Sequence, residues 1–138
     1  MFDEIAARLK NGTNSFRQID GAADFPSAEA ETKQYPAAFL IPLADTPGKN
    51  VYESGGVMQR VEIGFGVVIA ISRRGVSGGK RLDVLLPYKQ EVISKLLGWS
   101  PADGFAPIEL RPGRLMKIGD TAIWWQMGFA TDSYERSI

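Results

Sequence analysis

The longest regular pattern in this sequence runs from Val57 to Ile71 and alternates with a period of two. Bulky apolar side chains recur at every second position of the segment V-M-Q-R-V-E-I-G-F-G-V-V-I-A-I, and only Gln59 interrupts them. Such alternation predicts a β-strand with one apolar face. A strand of this length would span roughly 50 Å, whereas most strands have about five or six residues. We therefore expect it either to bend at Gly64 and Gly66 or to reach beyond the core of its own domain.

Composition limits the chemistry that the chain can perform. The 138 residues are 44% hydrophobic, which suits one domain spanning residues 1–138. The formal net charge is zero, which argues against charge-driven binding to nucleic acid or to an anionic membrane. The chain has no Cys and no His, so disulfides, thiolate or imidazole metal ligands and a Ser-His-Asp triad are excluded. We therefore expect neither enzymatic activity nor a cofactor or metal.

The sequence also predicts a cytoplasmic protein. The N-terminal stretch M-F-D-E-I-A-A-R-L-K opens with acidic residues and lacks the basic start and apolar centre of a signal peptide. No apolar run approaches the roughly 20 residues that a membrane-spanning helix needs.

Helical spacing of apolar residues occurs in two segments. Residues 2–10 place apolar side chains at i, i+3, i+4 and i+7, which predicts a short amphipathic helix. A second stripe covers residues 82–97, but Pro87 interrupts it. The second helix either kinks at Pro87 or begins near Leu85 with Pro87 in its first turn. Gly98 ends it.

The remaining strand-like segments are shorter. They are a weak one at 16–21, a buried one at 37–42, two at 107–111 and 114–118, and one at 121–131. Pro42 marks either an edge strand or the end of its strand. The polar stretch 44–56 contains Pro-Gly and predicts a long loop. Pro112-Gly113 predicts a hairpin turn, and the tail after residue 131 either extends the last strand or frays.

The order of these elements predicts an α+β fold. We expect a mixed or antiparallel β-sheet with one long central strand and with the 2–10 and 82–97 helices packed on one face. A weak helical turn is expected after Ser27, which is a candidate N-cap.

The segment S-R-R-G-V-S-G-G-K-R at 72–81 follows the long strand and precedes a helix, as a phosphate-binding loop does. The spacing does not match, because only three residues separate Gly75 from Gly79 and Arg81 occupies the position of the required hydroxyl. Nucleotide hydrolysis is therefore disfavoured. The segment is a flexible loop at the end of a strand, a loop lining a surface accessible to polyanions, or a protein contact whose cations would pair with acidic groups of a neighbouring subunit. These cations are Arg73, Arg74, Lys80 and Arg81.

Two further features are candidate functional sites. The carboxylate pairs Asp20 with Asp24 and Glu29 with Glu31 are the nearest in sequence, and we interpret them as solvated surface. Adjacent tryptophans on a strand face opposite sides of the sheet. Trp124 faces away from the main core, and it either covers the second face of the sheet or joins a subunit interface.

Several stretches together resemble a known family. In order they are F-D-E-I-A-A-R-L-K, I-D-G-A-A-D-F, P-A-A-F-L-I-P-L, Q-R-V-E-I-G-F-G-V-V-I, R-L-D-V-L-L-P-Y-K-Q-E-V-I-S-K-L-L-G-W-S-P, G-R-L-M-K-I and W-W-Q-M-G-F-A-T. They cover nearly the whole chain, and L-L-G-W-S-P and W-W-Q-M-G-F-A-T are the most specific. This series resembles the tail terminator, or tail completion, proteins of phages and prophages.

The resemblance implies an α+β subunit of a hexameric ring. Such a ring caps the finished tail tube, stops further addition of tube subunits and offers a surface for joining the head, without catalysis or a cofactor. The implied partners are copies of the chain itself, the tail tube protein and a head-completion or connector protein, and neither a membrane nor a specific nucleic-acid sequence. The implied location is the virion tail, and the host bacterial cytoplasm during assembly. The alternatives are another head–tail connector component, or a small ligand-binding or His-free enzymatic domain.

The long strand then suggests where contacts lie. The 44–56 and 72–81 segments are at its opposite ends, as suits a subunit with contacts above and below. Met58, Arg60 and Glu62 occupy the second face of its first half, and we expect them to form surface offered to a neighbour.

Charge reversal at Arg73, Arg74, Lys80 and Arg81 tests the basic segment. The monomer is expected to remain folded, while assembly weakens because attraction to a neighbour's acidic groups is lost. The oligomeric mass in solution measures the effect. Unchanged assembly would mean that the segment is only a connector.

Overall fold

The fold is described from a computed structural model, which describes residues 1–74 and 83–137. In this part of the chain the helices are α1 (Phe2–Lys10), α2 (Phe25–Glu31) and α3 (Leu86–Leu96), and the strands are β1 (Gln18–Gly21), β2 (Ala37–Asn50), β3 (Met58–Ser72), β4 (Glu109–Ile118) and β5 (Ala122–Arg136). The strands form one mixed sheet in the order β1-β2-β3-β5-β4. Strand β1 is parallel to β2, and the other neighbours are antiparallel. The predicted α+β fold with a long central strand is confirmed.

Strand β3 holds the sheet together. It pairs with β5 in unbroken register from Met58 opposite Arg136 to Ser72 opposite Ala122. Its odd-numbered residues, including Phe65 and Ile69, point to what we call the first face of the sheet, and its even-numbered residues point to the second face. The period-two pattern in the sequence thus corresponds to the two faces of one strand.

The first face carries the larger core. Ile5 and Leu9 of α1 and Val92 and Leu96 of α3 are buried against it, together with Phe65. The prediction that these two helices cover one face is confirmed. Helix α3 has Pro87 in its first turn and is followed by Gly98 at φ +80°, which confirms the second of the two alternatives for its start.

The two helices are also joined at their C-terminal ends. Arg8 Nε of α1 donates a 2.8 Å hydrogen bond to the backbone oxygen of Lys95. In return, Lys95 Nζ of α3 donates a 2.6 Å hydrogen bond to the backbone oxygen of Leu9. Each cation thus satisfies a terminal carbonyl of the other helix, at the end where the helix dipole favours positive charge.

Helix α2 lies on the second face, which the sequence predicted only as a weak turn. Its N-cap is Asp24 rather than Ser27: the Asp24 carboxylate accepts a hydrogen bond from the Ser27 backbone N–H, and this bond lowers the pKa of Asp24 below its usual value. The Phe25 ring meets the Trp124 ring edge-on, with centroids 5.5 Å apart. Helices therefore cover part of both faces.

The predicted loop over residues 44–56 is wrong over residues 44–50, because β2 continues to Asn50. A register shift between Pro42 and Asp45 marks a bulge, beyond which the strand pairs with β3 again. Pairing with β1 ends at Leu40. Beyond Leu40 the outer side of β2 has no neighbouring strand among the described residues, so the N–H group that Pro42 lacks has no partner to bond there. Only residues 51–57 join β2 to β3.

The predicted hairpin at Pro112-Gly113 is also wrong. Residues Glu109–Ile118 form the single strand β4, and the Pro-Gly pair lies in a bulge between Arg111 and Arg114. A bulge in an edge strand accommodates proline as readily as a hairpin turn does. The Pro-Gly pair therefore does not by itself distinguish a bulge from a turn. Strand β5 extends to Arg136, so the tail continues the last strand, which was one of the two alternatives.

The bulge makes Gly128 a sensitive position. A Cβ atom there would lie 2.5 Å from the backbone oxygen of Pro112, so Gly128→Ala would force two strands apart. We expect a loss of about 1–3 kcal/mol in the free energy of unfolding, measured by urea denaturation. The control is Gly21→Ala in β1, whose Cβ would lie an ordinary 3.7 Å from Leu40 O and should change stability by no more than about 0.5 kcal/mol. Equal effects at the two positions would contradict this account.

Candidate assembly surface

The sheet continues well past its core. Residues 43–64 of β2, β3 and their connection, with residues 131–137 of β5 and the chain end, form a three-stranded extension that we call the arm. Residues 65–71 of β3 are buried, whereas 58–64 are half-buried or exposed. None of the members of the two apolar clusters found in the described chain lies in the arm. The first half of β3 therefore projects beyond the core, as the sequence predicts.

A bulge lies where the arm leaves the core. Leu43 and Ala44 of β2 together oppose Gly64 of β3. A Cβ atom on Gly64 would lie only 2.9 Å from the backbone oxygen of Ala44, so glycine is required by the close approach of the two strands. Bulges increase the local twist of a sheet. The irregularity at Gly64 is thus a bulge whose extra residue β2 supplies, and a bend of β3 at Gly64 and Gly66 stays a prediction.

Three ion pairs lie on the second face at the root of the arm, and two of them connect different strands. Arg60 lies 2.7 Å from Asp132, Arg111 pairs with Glu62, and Arg111 also lies 3.0 Å from Glu109. We call this set the ion ladder. The hydrogen bond that Arg60 donates to Asp132 raises the pKa of Arg60, and those that Arg111 donates to Glu62 and then to Glu109 raise the pKa of Arg111. The ladder joins β3 to β5 and to β4.

The three sequence-predicted residues on β3 do lie together on the arm. Arg60 and Glu62 are engaged inside the subunit by the ion ladder. Met58 lies with its sulfur 3.9 Å from a guanidinium nitrogen of Arg136. Their contact with a neighbouring subunit stays a prediction, and within the subunit their side chains contact residues of β5 and β4.

Trp124 covers the second face of the sheet, one of the two alternatives that the sequence left open. It is 3% exposed and packs edge-on against the rings of Phe25 and Tyr35. It therefore presents almost no surface to a partner in the described subunit. Trp125 points to the first face, where Lys89 Nζ lies 4.0 Å from its ring centroid.

The basic segment begins at the opposite end of β3 from the arm. Arg73 donates a 2.8 Å hydrogen bond from Nη1 to the backbone oxygen of Gly119, and its backbone N–H bonds to Thr121. Arg73 thus holds the turn between β4 and β5. Arg74 is exposed. Lys80 and Arg81 lie outside the described residues, as does most of the 72–81 segment.

The connection over residues 51–57, which we call the tip, is the part of the predicted 44–56 loop that does join the two strands, although its individual residues were not predicted as contact residues. Asn50 orders it: its side-chain oxygen accepts hydrogen bonds from the N–H groups of Tyr52 and Met58, and its side-chain nitrogen donates to Gly56. Tyr52 is 41% exposed and Val51 is 58% exposed. The strand-forming pair Val51-Tyr52 inside a polar stretch was the available signal.

Three of the four carboxylates considered as acid–base groups have structural contacts. Asp24 caps α2, Asp20 accepts a hydrogen bond from Gln18, and Glu29 pairs with Lys117 of β4 at 2.6 Å. Within residues 1–74 and 83–137, no three acidic side chains converge in a way that would hold a metal ion. None of the described helices is long and apolar enough to cross a membrane.

These observations define a structural subunit whose main feature is an extended surface. The sequence profile described as "Phage tail terminator protein" matches residues 2–137. The chain therefore belongs to the phage tail terminator family, and its role is a structural one in the phage tail.

A second similarity is local. The chain is 39% identical over 51 residues to the small ribosomal subunit protein uS8 of Borrelia hermsii (strain HS1 / DAH) and to that of Borrelia turicatae (strain 91E135). The match spans 37% of this chain and 39% of each ribosomal protein. The chain thus spans well under half the length of these relatives, and the likeness assigns no family.

The ion ladder yields a prediction about the arm. Glu62→Gln removes the charge that Arg111 pairs with, and because both groups are partly exposed we expect unfolding to become easier by no more than about 1 kcal/mol. The local effect should be larger. Amide hydrogen exchange over 58–63 and 131–136 should accelerate more than exchange in the buried half of β3, and the difference should shrink at high salt.

Glu135→Gln is the matched control for this prediction. Glu135 lies on the same part of the sheet but on the first face, opposite Gln59, and pairs with no cation among the described residues. Its substitution should leave exchange in the arm unchanged. If both variants accelerate exchange equally, the ladder does not stiffen the arm.

Proposed function

We propose that the protein assembles into a ring of six subunits that caps the phage tail tube, stops tube polymerisation and provides the surface to which the head joins. Membership of the tail terminator family over residues 2–137 supports this function. The structural feature that carries it is the arm, because it extends the subunit away from its own core towards other molecules.

The arm presents apolar side chains that its own fold does not bury. Between 39% and 58% of the side-chain surface is exposed for each of Leu43, Val51, Tyr52, Val57 and Tyr134. Large apolar side chains exposed together on one part of a soluble protein commonly mark a site of protein–protein contact. Interfaces are also enriched in tyrosine, which supplies both apolar area and a hydrogen-bonding group. We assign this surface to assembly.

The charge distribution suits repeated contacts between like molecules. The chain as a whole is neutral, so stacked or adjacent copies do not repel each other through net charge. The proposed partners are copies of the chain itself, the tube protein and a head-completion or connector protein.

Termination in this proposal is steric. The ring occupies the last surface on which a tube subunit would add, and it presents a different surface on its far side. No bond is made or broken, so the proposed activity requires neither a nucleophile nor a cofactor. The whole chain acts as one domain, with the core setting the position of the arm.

Assembly with purified tube protein tests this function. Adding the chain to polymerising tubes is expected to shorten them and to place a ring at one tube end in electron micrographs. Sedimentation should show a six-subunit species, either free at high concentration or bound to tubes. A chain that stays strictly monomeric and never binds or caps tubes would sink the proposal.

A comparison of binding to tubes and to heads distinguishes the proposed function from that of a head–tail connector component. A terminator should bind purified tubes that lack heads. Binding to tail-less heads without binding to tubes would instead identify a connector component.

A further inference from the structure

The end of the sheet opposite the arm carries an apolar groove. It has a volume of about 490 Å³ and opens to solvent beside the end of β3. Six of its described lining residues have largely apolar side chains: Tyr35, Pro36, Ile71, Val84, Pro87 and Tyr88. We call this the base groove. Its walls come from the residues just before β2, the end of β3, and the start of α3 with Val84 just before it.

A cationic rim borders the base groove. A second cavity of about 480 Å³ shares Tyr35 with it and is lined by Arg73 and Arg74, with Asp120 and Thr121. The two arginines face a single acidic side chain among the described lining residues of this cavity. A ligand for the groove should therefore combine apolar side chains with a negative charge beside them.

The tip of the arm has this combination. Val51 and Tyr52 are exposed there, and the acidic Glu53 follows directly in an exposed position. The hydrogen bonds of Asn50 already order the tip, so little conformational entropy is lost when it docks. The arm as a whole holds five acidic and three basic residues: Asp45, Glu53, Glu62, Asp132 and Glu135 against Lys49, Arg60 and Arg136.

The tip and the base groove lie at opposite ends of β3, whose fifteen residues span roughly 45 to 50 Å. One subunit therefore cannot bring its own tip to its own groove. A contact that joins two different surfaces of identical subunits is heterologous, and it produces a closed ring when the rotation between neighbours closes.

We propose that the arm tip of one subunit inserts into the base groove of the next copy of this chain, with Val51 and Tyr52 against the apolar walls and Glu53 beside the arginine rim. The ring is then joined head to tail. This inference rests on the proposed ring assembly, and it specifies which surfaces join the subunits.

Two variants remove one side of the contact each. Tyr52→Ser removes an exposed aromatic ring from the tip, and Pro87→Glu places a negative charge in the groove, at a first helical turn where an acidic residue is well tolerated. Each should weaken assembly by about tenfold or more, measured by sedimentation as the concentration at half-assembly. Circular dichroism should show an unchanged fold for both.

Matched controls accompany the two variants. Leu115→Ser removes an apolar side chain that is 40% exposed on β4, outside the arm, and Gln90→Glu adds the same charge to an exposed site of α3 outside the lining of the base groove. Both controls should assemble as the parent chain does. Equal loss in a variant and its control would overturn the assignment of the surfaces.

Mixing the two variants gives the decisive result. The tip variant keeps a good groove and the groove variant keeps a good tip, so an equimolar mixture should form a one-to-one dimer and stop there. Absence of this dimer, or full assembly of the mixture, overturns the head-to-tail contact.

The inference and the proposed function fail in different ways. A parent chain that never assembles, even on tubes, removes both. A tip variant that still forms the parent's ring but no longer binds tubes assigns the tip to the tube protein, which overturns the inference and leaves the ring intact.

Discussion

The pairing of β3 with β5 is the constraint on which the rest of the structure depends. Fifteen consecutive residues of β3 face partners on β5 without a break in register. A slip of one residue would exchange the two faces, which would move Phe65 and Ile69 away from the helices and bring Arg60 to the first face. The same ladder of backbone hydrogen bonds therefore builds the core at one end and the arm at the other.

The two ends of that ladder are stabilised by different forces. At the core end, apolar side chains are removed from water on both faces, which contributes roughly 25 cal/mol for each Å² buried. In the arm, cross-strand pairs contribute only about 0.2–1 kcal/mol each, and exposed ion pairs about as little. The arm is thus the part of the described sheet that gains most from a partner, because a partner would bury apolar side chains such as Val51 and Tyr134.

The spacing of apolar residues correctly predicted the helices and strands whose formation depends mainly on that spacing. The apolar stripe gave α1 with its observed bounds, and alternation gave β3 and the two faces of β5. Pro-Gly pairs misled at both 47–48 and 112–113, since pairing with β3 or β5 keeps these residues in strands despite their turn chemistry. The ion ladder was equally invisible, because Arg111 lies 49 residues from Glu62 in the chain. Its pairs depend on which strands are neighbours in the sheet, and the residue pattern within a single strand does not predict this.

The ion ladder also changes how the second face of the arm is understood. Arg60 and Glu62 were expected to face a neighbour, but each already has an oppositely charged partner within the subunit. Removing such pairs from water in an interface carries a desolvation cost that the contact must repay. Exposed apolar side chains carry no such cost. Contact is therefore favoured at the tip, where Val51 and Tyr52 are exposed, while the charged root of the arm fixes the direction in which the tip points.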